Sequence, residues 1–196
     1  MKKLLIPALL SLMLLPASCS QMEEDVNDGE IITKAEAQHF VDSLMIAFRE
    51  GTMEMLRCPR VRWEHIPALL EYGKSTVIVG DDPSSGSARA LPANPISSYL
   101  MTQCSEGMFA LWMVEAARIR TLYNGNPPER DYGFGWPSQN SFVQKMNEGG
   151  FPTWYINDEK VQKEVLEAYQ SWWNASKGQR IAASINPLED TGYYWH

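Results

Sequence analysis

Gly107-Met108-Phe109-Ala110-Leu111-Trp112-Met113-Val114-Glu115-Ala116-Ala117-Arg118-Ile119-Arg120-Thr121-Leu122 is the stretch on which the reading of the fold turns. Positions 108–114 are apolar without a break. An apolar run of this length fits a buried strand as well as a buried helix. The 16-residue extent, the alanines and the mostly unbranched side chains favour helix. A helix that is apolar all round is enclosed on several sides, so this segment is expected at the centre of its domain. Glu115, Arg118 and Arg120 face a wetter environment, and Asn124-Gly125-Asn126-Pro127-Pro128 stops the helix.

Toward the N-terminus, Thr33-Lys34-Ala35-Glu36 has the form of a capping box. Ala37, Phe40, Val41, Leu44, Ala47 and Phe48 then recur at helical spacing, and Gly51 follows Glu50. These signals predict a helix over 34–50. A short helix over 63–73 follows, with Pro67 in its first turn and Gly73 at its end. Residues 75–79 read as a brief strand-like run, and 80–98, dense in Asp, Pro, Ser and Gly, as a long loop.

Toward the C-terminus, 125–140 reads as a Gly/Pro/aromatic loop and 141–147 as a short helix ending at Gly149-Gly150. Asn157 is the expected cap of a long helix whose stripe is Val161, Val165, Ala168, Tyr169, Trp172 and Ser176, closed by Gly178. The expected fold is all-α: one irregular helical domain over 33–196, about five helices with long loops.

The chain begins Met1-Lys2-Lys3, then runs apolar from 4 to 15 except for Pro7 and Ser11, then reaches the small residues Ala17 and Ser18. A cationic start, a short apolar run and a small-residue site are the layout of a secretory signal peptide, here 1–18. The run is too short for a transmembrane helix, which needs about 20 residues. Ala17-Ser18-Cys19 resembles the lipobox of bacterial lipoproteins, with Pro16 where the family prefers Leu. The resemblance implies that Cys19 carries a diacylglycerol thioether and an acylated amine. Two or three chains on one residue make a firm anchor, because each buried CH₂ contributes about 0.8 kcal/mol. Ser20-Gln21-Met22-Glu23-Glu24-Asp25 resembles the acidic export tag of Bacteroidetes surface lipoproteins. Residues 19–32 read as an acidic flexible tether. The implied location is the outer membrane, held by lipid, with the cell surface as one of its two faces.

His65-Ile66-Pro67-Ala68-Leu69-Leu70-Glu71, and residues 104–120 with Ala110-Leu111-Trp112 and Glu115-Ala116-Ala117, resemble helices of HEAT-class repeat proteins. Pro92-Ala93-Asn94-Pro95-Ile96-Ser97-Ser98-Tyr99, leading to Leu111-Trp112-Met113-Val114-Glu115, resembles a family of uncharacterised Bacteroidales lipoproteins. Together these imply a HEAT/armadillo-like helical domain of unknown function.

The formal charge is −7, and removing Lys2 and Lys3 with the leader makes it −9. Such a chain suits no phosphate backbone, so a nucleic-acid role is excluded. Beyond Cys19 the cysteines are Cys58 and Cys104. In an oxidising compartment they either pair as a disulfide or stay apart as small core residues. No spacing of Cys and His points to a metal, and no motif to a cofactor. His39, His65 and His196 are the only histidines, and none has a visible catalytic partner. The Ser/Asp-rich 81–87 stretch lacks the glycine of a nucleophile elbow and the spacing of a calcium loop. Glu64, Glu71 and Glu115 supply carboxylates, but sequence does not set the separation that glycoside hydrolysis needs.

The informative surplus is aromatic: seven Trp, all beyond residue 62. Trp112 and Trp172 fit helix cores, whereas Trp136, Trp154, Trp173 and Trp195 fall in loops or off the helical stripes. Tyr132, Phe134 and Trp136, in one Gly/Pro loop, are the expected exposed aromatic surface. The expected function is a protein-interaction or scaffolding module of the cell envelope. Its alternatives are a surface glycan-binding lipoprotein using those rings, and a hydrolase whose site no motif reveals. A smooth concave helical face would favour the first, a row of exposed rings the second, and two facing carboxylates in a cleft the third.

Overall fold

Helix α3, Glu106–Leu122, is the spine of the domain. The computed structural model describes residues 32–53, 58–80, 103–124, 136–138 and 140–196. From Glu106 to Arg118 every residue of α3 is buried. Phe109, Leu111, Trp112 and Met113 are completely enclosed, each worth about 1.5–3 kcal/mol of apolar burial. Helices α1 (Lys34–Glu50), α2 (Ile66–Tyr72) and α4 (Glu159–Ser176) all pack on it.

The helix ends follow their local chemistry. The Thr33 hydroxyl accepts the Glu36 N–H while the Glu36 carboxylate accepts the Thr33 N–H, so the capping box forms. Gly51 closes α1 in the left-handed region at φ 67°, a conformation that favours glycine. The cap of α4 is Asp158, whose carboxylate accepts the Val161 N–H at 3.0 Å, one residue beyond the expected Asn157. Asn157 instead turns the chain at φ 55° and accepts the Ser105 N–H through its side chain.

Two antiparallel sheets overturn the all-α, HEAT/armadillo-like expectation. Strands β1 (Ile78–Gly80) and β2 (Gln103–Ser105) pair beside the start of α3. Strands β3 (Val143–Met146), β4 (Pro152–Tyr155) and β5 (Tyr193–Trp195) form a sheet in the order β4-β3-β5. Among the described residues 55% are helical and 14% lie in strands, so the fold is mixed α and β.

The short helix expected over 141–147 is strand β3. Gln144 and Met146 alternate with Val143 and Lys145 at the period of two that a strand imposes. Asn147 makes the turn, its side chain accepting the N–H groups of Gly149 and Phe151. The final residues form two 3₁₀ turns (Arg180–Ser184 and Glu189–Thr191) and β5.

The long loop expected at 80–98 lies, apart from Gly80, outside the described residues. So do residues 1–18, Cys19 and most of the tether. No described helix is long and apolar enough to cross a membrane.

Candidate functional site

The buried polar groups along α3 are committed to holding the fold. At its start, Glu106 is fully buried and pairs with Arg49, and the Ser75 hydroxyl donates to it at 2.7 Å. The Ser105 hydroxyl donates to Gln162 Oε1 at 2.6 Å, and Gln162 Nε2 donates to the carbonyls of Gly73 and Ser75. One helix turn from the far end, Arg118 grips both oxygens of Glu115, at 2.6 and 2.8 Å. The Tyr169 hydroxyl donates to Glu115 at 2.7 Å and receives the Trp195 indole N–H at 2.9 Å. Burial and the neighbouring Glu115 carboxylate push the Tyr169 hydroxyl well above its usual range, so it stays protonated. These contacts tie α3, α4 and β5 together.

The expected candidates fall as follows. Cys19, Tyr132 and Phe134 lie outside the described residues. Trp136 is half-buried, with its ring stacked on Trp112 at 4.6 Å. Cys58 and Cys104 are separate free thiols, both buried. Cys104 lies in β2, two residues before α3 begins, and Cys58 lies beside Arg120 near its other end. A 17-residue helix is about 25 Å long, and a disulfide needs Cα atoms within about 7 Å. Burial pushes both thiols up to about 12, which keeps them protonated and unreactive.

His65 is a structural staple. Its Nδ1 accepts the Arg62 N–H at 2.9 Å, its ring stacks on Phe40 at 4.3 Å, and burial holds its pKa down at about 4. Glu64 pairs with Arg180, Glu71 with Lys74 and Glu115 with Arg118. Among the described residues no three His, Cys, Asp or Glu side chains gather where a metal could sit.

What remains is the outer face of the C-terminal sheet. The register sets Gln144 opposite both Trp154 and Tyr194, and Met146 opposite Pro152, so these five side chains share one face. The other face carries Val143, Tyr155, Tyr193 and Trp195 and packs inward, with the Tyr193 hydroxyl donating to Glu164 of α4 at 2.8 Å.

On the outer face Trp154 is 46% exposed, Tyr194 37%, Met146 51% and, at the turn, Phe151 70%. The rings are held in place. Trp154 Nε1 donates to Gln144 at 3.1 Å, and the Tyr194 hydroxyl donates to Met146 Sδ at 3.1 Å. The His196 ring lies stacked 5.9 Å from Trp154 and 5.1 Å from buried Phe142. Partial burial lowers the His196 pKa, which favours its neutral ring.

Sequence reasoning set Trp154 aside as a ring off the helical stripes but did not assemble this face. The available signal was strand alternation in Val143-Gln144-Lys145-Met146, followed by Asn147-Glu148-Gly149-Gly150 and the aromatic run Trp154-Tyr155.

No curated protein and no solved structure matches the chain. One family pattern, described as a domain of unknown function, covers residues 32–196. The chain belongs to that family, DUF4943.

Proposed function

We propose that this protein is a lipid-anchored lipoprotein of the outer membrane that binds glycans on the outer face of its C-terminal sheet. The anchoring part rests on the N-terminal sequence: the cationic, apolar and small-residue order of the leader and Cys19 at its end. The binding part rests on one observation, the row of fixed, partly exposed rings Trp154 and Tyr194 with Gln144 between them. Flat rings held in place give apolar area to the C–H faces of a sugar at little cost in side-chain freedom. The amide and hydroxyl beside them fit hydroxyl groups. A row of rings is the arrangement that favours glycan over a concave helical scaffold, and all three candidate carboxylates are engaged in ion pairs.

A protein partner is the second reading. Phe151 and Met146, at the β3–β4 turn, extend the face as apolar area with high exposure, which suits protein contact more than sugar.

Two measurements test the proposal. Full-length protein purified in detergent micelles should bind members of a glycan array, and Trp154→Ala should abolish that binding while leaving the fold intact. Binding unchanged by Trp154→Ala removes the site, and no binding to any glycan, with specific capture of an envelope protein that Phe151→Ser abolishes, gives the second reading. Mass spectrometry of the natural protein should find Cys19 acylated and residues 1–18 gone. An unmodified Cys19 thiol overturns the anchor.

A further inference from the structure

Gln144 of β3 has Trp154 opposite it on β4 and Tyr194 opposite it on β5. All three side chains stand on the outer face, in one line that crosses the strands. Neighbouring strands lie about 4.8 Å apart, so the backbones that carry the two rings are separated by about 10 Å, with Gln144 midway. One sugar covers one ring and does not reach the other. Each ring is fixed independently, because Trp154 Nε1 donates to Gln144 Oε1 and the Tyr194 hydroxyl donates to Met146 Sδ.

The same face is uncharged. Gln144, Met146, Pro152, Trp154 and Tyr194 carry no charge at neutral pH. Lys145 is the only basic residue of the three strands, and it belongs to the inner face. Its Nζ donates to the Thr191 carbonyl at 3.1 Å and lies 4.9 Å from the centre of the Tyr193 ring. Glu148, in the β3–β4 turn, and the formal charge of −7 repel anions.

We propose that one extended, uncharged chain of β-1,4-linked hexopyranoses lies across the strands, with three consecutive sugars over Trp154, Gln144 and Tyr194. The inference rests on the glycan reading above. Such a chain advances by about one strand spacing per sugar, and its alternate sugars present the same face. The first and third sugars therefore stack on the two rings. The middle sugar lies over the Gln144 amide, whose Nε2 is left to donate to a hydroxyl because Oε1 is taken by Trp154. Sheet twist, about 20–25° between neighbouring strands, turns one ring relative to the other, and rotation about two glycosidic bonds follows that turn in a single free chain. An α-1,4-linked chain curls into a helix, which carries its third sugar off the line of the rings. A carboxylate or sulfate on the chain would lie over the face without a counter-charge on these strands.

The test uses the full-length lipoprotein in detergent micelles and titration calorimetry. Its probes are β-1,4-linked gluco- and manno-oligosaccharides of graded length, α-1,4-linked gluco-oligosaccharides of the same lengths, and β-1,4-linked oligomers of glucuronic and mannuronic acid. In at least one neutral β-1,4 series affinity should rise about tenfold between the disaccharide and the trisaccharide, the gain of a second ring contact, and change little beyond. The α-1,4 series should show no such step, and the acidic counterpart of the bound series should bind more weakly at every length. Tyr194→Ala should erase the step and leave disaccharide binding in place, whereas Tyr194→Phe should keep it. Equal affinity of α and β chains, no step at the trisaccharide, or acidic chains that bind as well as neutral ones overturns this inference and leaves the glycan reading standing. No binding to any glycan on an array overturns both. A step that survives Tyr194→Ala overturns the assignment to Tyr194. So does unfolding of Tyr194→Ala, which would make that ring part of the packing.

Discussion

Around α3 each charged or amide side chain has found its complement: Glu106 with Arg49 and Ser75, Ser105 with Gln162, and Glu115 with Arg118 and Tyr169. Along the outer side of the C-terminal sheet the rings of Trp154 and Tyr194 stay open to solvent. Both regions belong to one chain and share a hydrogen-bonded link, Trp195 to Tyr169. The difference separates groups that specify the fold from groups the fold does not use. A small domain has only about 5–15 kcal/mol of net stability, so large rings left in solvent stand out as candidates for another task.

Removing one half of the Glu115–Arg118 pair gives the largest expected effect. Both side chains are about one-tenth exposed, and a buried charge stripped of its partner costs about 3–5 kcal/mol. Glu115→Ala should lower the thermal midpoint sharply, as read by circular dichroism. The double change Glu115→Leu with Arg118→Met should recover most of the loss, because an apolar pair of similar size needs no hydration. A Glu115→Ala loss below about 1 kcal/mol, the size of an exposed ion pair, would erase the contrast between the two regions.

Gly107→Ala comes next. The added Cβ would meet the carbonyls of Ser75 and Gly73 at 2.6 and 2.7 Å. Those atoms are also the acceptors of Gln162, so neither can retreat without breaking the network. Overpacking of this kind costs about 1–3 kcal/mol, to be read from urea midpoints. A neutral result would show that the start of α3 is looser than its hydrogen bonds require.

How much of this was legible in the sequence follows the same division. The helices could be read because their signals are local: the Thr33–Glu36 capping box, the stripe of α4 and the apolar run of α3 all act within a few turns. The C-terminal sheet was harder: its β3–β4 hairpin across the Asn147 turn is local, but β3 also pairs with β5, some fifty residues onward. Four residues such as Val143-Gln144-Lys145-Met146 are too few for period two to outweigh a helical reading. The site shared that fate. Trp154 was visible as a ring off the helical stripes, but Tyr194 joins it only through the register with Gln144. The polar network was equally hidden, since Gln162 and Ser105 are brought together by tertiary packing.

A smaller effect concerns pH. The His65 pKa is depressed by burial to about 4, against about 6.5 in an unfolded chain. Between these values the unfolded chain binds the proton and the folded one does not. The stability that goes with neutral His65 is therefore full above about pH 6.5, falls as pH drops toward 4, and levels off below. One group contributes at most about 1.4 kcal/mol per pH unit. His65→Gln keeps an acceptor for the Arg62 N–H and removes the titration. Its urea midpoint should depend less on pH across that window, and an unchanged slope would assign the pH dependence to other groups.

The smallest expected change in stability is the one that matters most to the comparison. Trp154 is nearly half exposed, and its indole N–H reaches only Gln144 on its own sheet face. Surface substitutions away from caps and networks usually stay within about 0.5 kcal/mol, so Trp154→Ala should barely move the thermal midpoint. Tyr194→Phe should do even less, because it loses only the bond to Met146 Sδ. If the outer face is structural after all, Trp154→Ala should instead cost several kcal/mol, as for an aromatic core residue, since the ring would then be the lid over Phe142 and His196. The thermal midpoint of Trp154→Ala thus separates packing from binding before any ligand is known. A protein that loses a large aromatic ring and keeps its stability was not using that ring to stay folded.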